Sequence, residues 1–278
     1  MKLLVLLTAS FPYDSGEEFL INEINYISGF DKVLICPYNL KTGSKVTKSL
    51  PPDVECIPLK RVDGGQAAYA KLLFQPCVLS EIGMLLQTGR FSFSRLHEAL
   101  FFMKHAVEIA DALKQIPILY QADQICIYSY WFYDAAAAAA LLKKDLIKHG
   151  IQITQISRAH GFDIHQDRSK YAYLPMRGYL LKQVDGLYPC SKNGEDTIIR
   201  QYPQYTRKIH CAYLGTVDHG EKHGSRNSFH ILSCSGMVPV KRLHLIAQAL
   251  SKADFDVYWT HIGSGPLSDE IKNMAAKL

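Results

Sequence analysis

The segment from Phe229 to Pro266, FHILSCSGMVPVKRLHLIAQALSKADFDVYWTHIGSGP, leaves this chain little choice of fold. His230 to Ser233 form a short apolar run of the kind that makes a buried strand. Leu243, Ile246, Ala247 and Leu250 then recur at helical spacing, Val257 to Ile262 form a second apolar strand, and a further helix is expected over Leu267 to Leu278. Strand, helix and strand in this order make a βαβ unit whose two loops both lie at the carboxyl edge of the sheet, where open α/β sheets bind ligands. The first loop carries Gly236 and, at the helix start, Lys241 and Arg242. Cations beside the free N–H groups of a helix N-terminus favour a bound anion, most simply a phosphate or diphosphate. The second loop, Gly263-Ser264-Gly265-Pro266, has glycines at which backbone can approach a ligand closely.

The preceding residues alternate strands and helices in the manner of a parallel, doubly wound sheet. Lys2 to Thr8 are a continuous apolar run, as in a central strand covered on both faces. The start MKLLVLLTAS hints at a signal peptide, but its apolar core is short and only one Lys precedes it, so it reads as the first strand. A long loop, Ala9 to Glu18, follows, and helical periodicity resumes at Phe19, Ile21, Ile24 and Ile27. Taken alone, its Pro-Tyr-Asp-Ser-Gly stretch is a turn; after a first strand it hangs over the cleft of such a sheet. Lys32 to Pro37 and Val54 to Leu59 are the expected second and third strands. Ala67 to Ile116 form a long helical region with scattered Lys71, Arg90, Arg95 and Lys104, which either covers the sheet or touches a membrane surface.

Asp123 to Tyr128 make another strand, leading into Tyr130, Trp131, Phe132, Tyr133 and Asp134 and then six alanines. Asp134 is the expected N-cap of a helix lying close against the sheet. Aromatic rings at a strand's carboxyl end either stack on a sugar or belong to the core. Gln152 to Ser157 form the next strand, ending at Arg158-Ala159-His160-Gly161-Phe162-Asp163. Gly178 to Val184 read as a helix, Gly186 to Ser191 as a short strand and loop, and Ile209 to Leu214 as the last strand before a polar linker, 218 to 228.

With 278 residues the chain is long enough for two domains, and 48% hydrophobic with 21% charged residues is a globular composition. Its net charge of +5 suits an anionic ligand or membrane surface, and the lack of any basic run excludes nucleic acid as a partner. The seven cysteines are odd in number, scattered and free of C-x-x-C pairs, as expected of reduced, mostly buried thiols in a cytoplasmic protein. No metal is implied. His219-Gly220-Glu221-Lys222-His223 lacks a Glu directly after its first His, and Asp254-Phe255-Asp256 precedes its strand, at the amino edge. A G-x-G-x-x-G turn is absent after the first strand, against a dinucleotide enzyme.

The segments SCSGMVPVKRLHLI, HIGSGPLSDEI and RAHGFDI resemble the GT-B glycosyltransferases, specifically the retaining family four that makes bacterial capsule, exopolysaccharide and lipopolysaccharide sugars. In its G-R-L-V-P-x-K-G loop the Lys matches Lys241 and the Arg position is Gly236, with Arg242 the candidate to replace that cation. Its G-x-G-P loop matches Gly263 and Gly265, its T-x-H-G-x-D segment puts His160 over the donor sugar with Asp163 in register, and its F-P-x-x-x-G loop matches Gly16. GLYPCS is similar to the family's V-x-x-x-S, and Gly215 to Asp218 to its N-G-V-D, with Leu214 in place of Asn.

The resemblance implies an α/β GT-B fold of two Rossmann-like, doubly wound parallel-sheet domains: 1–217 on the acceptor side, a linker at 218–228, and 229–278 for the nucleotide sugar. It also implies that the second domain is incomplete here, since the family continues for roughly another hundred residues, including a ribose-binding E-x7-E segment. The implied activity is sugar transfer from a nucleotide diphosphate to a glycan or lipid-linked acceptor in surface polysaccharide synthesis. Lys241 and Arg242 would stabilise the leaving diphosphate and His160 would orient the sugar. Gly16, Gly236, Gly263 and Gly265 would approach the donor, while Tyr130, Trp131 and Asp163 would face the acceptor. No cofactor is expected, the location is cytoplasmic, and the inner membrane leaflet is a candidate peripheral contact. The alternative is a catalytically inactive acceptor-binding or regulatory module.

Overall fold

The computed structural model describes residues 1–65, 67–220 and 229–277. The chain divides into two compact units, Met1–Val217 and Asp218–Leu278. Residues 221–228 of the expected linker, and with them Glu221, Lys222 and His223, lie outside the described residues.

The first unit is built on six parallel strands: β1 (Lys2–Thr8), β2 (Lys32–Pro37), β3 (Val54–Cys56), β4 (Gln124–Ser129), β5 (Gln152–Ala159) and β6 (Gly186–Pro189). Their order is β3-β2-β1-β4-β5-β6. Leu3 to Leu7 of the central β1 are all buried, because helices cover one face of the sheet and the β1–β2 connection the other. On the helical face lie α4 (Phe93–Leu113) and α5 (Asp134–Lys148), and Ala135 to Ala140 are all buried. Methyl-sized side chains there let α5 approach the sheet closely. The opposite face is a smaller cluster around Phe11, Leu20, Ile24, Val33, Ile35, Tyr128 and Tyr130.

Several expected boundaries move, each for a local reason. The long helical region is three helices, α2 (Ala67–Leu73), α3 (Pro76–Gln87) and α4. Pro76 has no N–H to continue α2, and Gly89 at φ 65 turns the chain out of α3. Helix α1 is a single turn, Leu20–Glu23, followed by a 3-10 turn to Tyr26; of its expected apolar stripe Ile24 is buried while Phe19 and Ile21 face solvent, and Leu20, outside that stripe, is buried instead. Asp134 is the first residue of α5 rather than its N-cap, and its carboxylate accepts from Ala135 N at 2.8 Å. Helix α6 is Arg177–Gln183, and α7 is Lys192–Gln201.

Two strands fall short for one shared reason. Leu59 N donates to Pro37 O at 2.9 Å, yet β3 stops at Cys56, because Pro37 has no N–H with which to complete the next ladder pair. Likewise Ile209 to Leu214 is no strand but one bridge, Leu187 to Ile209. Ala212 N donates to Pro189 O at 2.9 Å and Pro189 cannot donate in return.

The second unit holds a parallel pair, β7 (Phe229–Cys234) and β8 (Val257–Ile262), with α8 (Leu243–Leu250) and α9 (Ser268–Ala275). Its core is small: Met237, Leu243 and Ile271, flanked by Ile246, Trp259 and Leu267. The run from His230 to Ser233 is therefore not buried as its composition suggested. His230, Leu232, Cys234, Tyr258, Thr260 and Ile262 are exposed on one face of the pair. The cysteines differ from expectation in the same way. All seven are free, but only Cys36 is buried, and Cys234 is exposed. Among the described residues no helix is long and apolar enough to cross a membrane.

Candidate active site

The strand order reverses between β1 and β4, so their following loops diverge and leave a crevice at their carboxyl ends. The loop after β1 is folded around one side chain. Glu17 Oε1 accepts from Ala9 N (2.7 Å) and Glu17 Oε2 from Ser10 N and Phe11 N (2.8 Å each). The chain turns back to make these bonds through left-handed conformations at Asp14, Gly16 and Glu17. Gly16, at φ 114, has its open side free of close neighbours.

The loops after β4 and β5 are joined by a buried ionic network. Asp163 is 0% exposed, and its carboxylate accepts from Phe132 N (2.7 Å) and His160 N (2.5 Å). Arg177, from α6, donates to Phe132 O at 3.0 Å and to Asp163 O, with its guanidinium over the Phe132 ring. Burial raises the Asp163 carboxyl to about 6, against the lowering effect of Arg177 and the two amides. Asp163 therefore fixes the two loops and does not face an acceptor, which corrects its expected role.

His160 sits within this frame. Its ring lies 4.7 Å from that of Tyr130 and 4.6 Å from that of Trp131, centroid to centroid. Burial lowers its pKa to about 4, so the ring is neutral at pH 7. Nε2 lies 3.1 Å from Tyr130 O, and a carbonyl can only accept, so Nε2 carries the proton and Nδ1 is left as an acceptor. Tyr130 is 1% exposed: it supports His160 through its ring and carbonyl, and no sugar can stack on it. Trp131, the next residue, packs on the same imidazole but is only half-buried and lines the crevice.

Beside these residues is a cavity of about 300 Å³ lined by Ala9, Tyr38, Asn39, Arg61, His105, Trp131, Tyr133, Asp134 and Phe162. Every strand from β3 to β5 contributes through the loop at its carboxyl end. Two larger hollows of about 530 Å³ each lie among the helices and include none of the expected catalytic, donor-binding or acceptor-side residues. The cavity at the sheet's edge is the one whose wall, at Trp131, packs on the His160 ring.

In the second unit the expected donor residues share one edge. Lys241 closes a 3-10 turn, Pro239–Lys241, and Arg242, left-handed at φ 54, leads directly into α8. Both are exposed, and neither forms an ion pair with another described residue. Gly263 and Gly265 serve a different purpose from the one expected. A Cβ on Gly263 would lie 2.0 Å from Ser235 O, and one on Gly265 2.6 Å from Met237 O. The space these glycines leave is filled by the loop after β7, which Met237 N ties down by donating to Ser264 O at 2.9 Å. Gly236 is exposed and its Cβ position is open.

No protein-family model matches the chain, and no curated protein matches its sequence. Solved structures do. The apo lipopolysaccharide outer core galactosyltransferase WaaB is 12% identical and superposes with a TM-score of 0.56 over 100% of this chain and 65% of that one. Acinetobacter baumannii MurG is 10% identical, with a TM-score of 0.46 over 99% of this chain and 63% of that one. The chain thus spans less than two thirds of the length of these structures. The WaaB superposition takes in the whole of this chain, both the six-stranded parallel sheet and the second βαβ unit. The fold is GT-B.

Within the GT-B fold, sequence reasoning passed over Glu17, Arg61, His105 and Arg177. Glu17 directly follows Gly16, and Arg61 follows the end of β3 by five residues, so their positions after strands were the available signal.

Proposed function

We propose that this chain belongs to a retaining glycosyltransferase of the family-four type, which moves a sugar from a nucleotide diphosphate to a glycan or lipid-linked acceptor in surface polysaccharide synthesis. The observation that carries this reading is the neutral, half-buried His160, whose Nδ1 is left as an acceptor and whose ring packs on Trp131 of the aromatic cavity at the sheet's switch point. Nδ1 is suited to accept a hydroxyl proton of the transferred sugar and so to orient it. Glycosyl transfer passes through an oxocarbenium-like transition state, and the departing nucleoside diphosphate gathers negative charge as the bond to the anomeric carbon breaks. Lys241, Arg242 and the free amides at the start of α8 would offset that charge, with no metal required. Trp131 would face the acceptor.

Calorimetric titration of the chain with UDP, GDP and their sugars, repeated on Lys241→Ala, tests this. One nucleotide is expected to bind at micromolar strength and to weaken at least about tenfold on substitution, a 1.4 kcal/mol effect. Absence of binding by every nucleotide would count against a transferase. The cavity lies wholly within the first unit, which favours an acceptor-binding module as the second reading.

For peripheral membrane contact, three of the four expected cations are poor candidates. Arg90 and Arg95 bond to backbone oxygens of Ala172 and Tyr171, and Lys104 is paired with Asp63 and Glu108. An apolar face is better suited. Phe74 and Phe93 are 80% and 82% exposed, and Leu79 and Leu86 are exposed on α3, whose one charge, Glu81, is turned inward onto Tyr173. Co-sedimentation with anionic vesicles should fall on Phe74→Ser with Leu86→Ser; unchanged sedimentation would rule out this face.

A further inference from the structure

The cavity at the carboxyl edge of the first unit is lined by one carboxylate, Asp134, and one guanidinium, Arg61, which are not paired with each other. Its walls are largely aromatic, with Tyr38, Trp131, Tyr133 and Phe162 around it, which suits the flat, apolar faces of a pyranose ring. The polar groups divide into those already used and one that is not. Asp134, the lining carboxylate, accepts from Ala135 N at 2.8 Å at the start of α5 and lies 3.6 Å from His105 Nδ1. The start of α5 thus offsets part of its charge. Glu17, behind the Ala9 wall, is satisfied by three amides and the Trp131 indole. Glu98, below Tyr133, accepts from that phenol at 3.3 Å.

Arg61 is different. Its guanidinium makes a long hydrogen bond, 3.5 Å, to Asn39 Oδ1, and no carboxylate among the described residues lies within ion-pair distance. By contrast Arg158 pairs with Glu23 at 3.0 Å, and Arg177 is spent in the buried frame around Asp163. The backbone leading to Arg61 is held to β2 by Leu59 N donating to Pro37 O, so the cation is presented at the cavity by the sheet's edge.

We infer that this cavity takes an anionic sugar unit, its ring on the aromatic wall formed by Trp131, Tyr133 and Phe162 and its carboxylate or phosphate on Arg61. The guanidinium's planar fork matches either anion through two parallel N–H donors, and a low-polarity wall beside it strengthens the pairing. The inference rests on the proposed function in taking the ligand to be the acceptor sugar, and it adds that the acceptor is acidic.

Ligand-observed NMR and calorimetry on the whole chain, with methyl β-glucuronide, glucose 6-phosphate and neutral methyl β-glucoside as probes, test it. At least one acidic probe should bind about tenfold more tightly than the glucoside, and which one does so separates a uronate from a sugar phosphate. Arg61→Gln should erase that preference without weakening the glucoside and without shifting the melting temperature. Arg61→Lys should retain part of it. Lys241→Ala should leave all three probes unaffected, so a failed nucleotide titration with an intact acidic preference would sink the transferase reading alone. Equal binding of acidic and neutral probes, a preference that survives Arg61→Gln, or no binding of any probe would overturn the inference.

Discussion

The indole N–H of Trp131 donates to Glu17 Oε1 at 2.7 Å, joining the loop after β1 to the loop after β4 across the point where the strand order reverses. With the amides of Ala9, Ser10 and Phe11, four donors converge on one carboxylate. Hydrogen bonds to a charged group contribute about 1.5–3 kcal/mol each, and water would replace some of them at a half-buried site. Glu17→Ala should therefore cost about 2–3 kcal/mol in urea denaturation and shift the emission of Trp131 to the red. A loss below about 0.5 kcal/mol, the size of an ordinary surface change, would mean that the carboxylate does not organise the loop.

His160 makes a pH-dependent contribution whose sign can be worked out. The folded ring takes its proton at about 4, the unfolded one at 6.5. As pH falls through that window the unfolded state binds more protons, so stability present above 6.5 is lost toward 4, with a ceiling of about 3 kcal/mol. Asp163 acts oppositely. Its folded carboxyl takes a proton at about 6 and its unfolded one at 3.8, so acidification through that range favours the folded state. The two nearly cancel in the intact protein. The difference in stability between it and His160→Asn should therefore shrink by up to about 3 kcal/mol from pH 7 to pH 4. A difference that is constant with pH would show that His160 titrates normally.

The doubly wound sheet was legible because it rests on side chains: Leu3 to Leu7 without interruption, then six alanines where a helix must lie close. What escaped was backbone chemistry. Val54 to Leu59 and Ile209 to Leu214 have strand-like side chains, but Pro37 and Pro189 in the neighbouring strands cannot donate to them. The site followed the same division. His160 is recognisable from its segment, whereas Asp163 looks like a site carboxylate until its amide partners are seen, and Tyr130 and Trp131, both packed on His160, differ in how far each is buried. Arg61 belongs to no motif at all, and its importance comes from having no carboxylate partner among the described residues.

Gly263 shows how tightly the loops after β7 and β8 are packed. At φ 140, with Ser235 O at 2.0 Å from a new Cβ, Gly263→Ala meets backbone that has no slack. The substitution should cost about 3 kcal/mol or more, in the range of severe overpacking and backbone strain, and the small core around Met237 cannot absorb that. Limited proteolysis should then cut the second unit while sparing the first; equal resistance of both proteins would refute the close approach.

Gly236 offers the complementary experiment. It is exposed, adopts no left-handed conformation, and a Cβ there would lie 3.8 Å from Ser264 O, an ordinary contact. Gly236→Ala should therefore be nearly neutral, and Gly236→Arg should fold. The arginine would place a second fixed cation on the loop that ends at Lys241. Two unit charges about 5 Å apart near a surface attract by about 3 kcal/mol, and ordering a long side chain returns about 1 kcal/mol of that. A gain of about tenfold in UDP or GDP affinity for Gly236→Arg over Gly236→Ala is expected, falling with added salt. The alanine variant removes the effect of the new Cβ from the comparison, so only the charge is read. Equal nucleotide affinity in the two variants, with both folded, would mean that no diphosphate sits at this loop, and Lys241 would lose its assigned part.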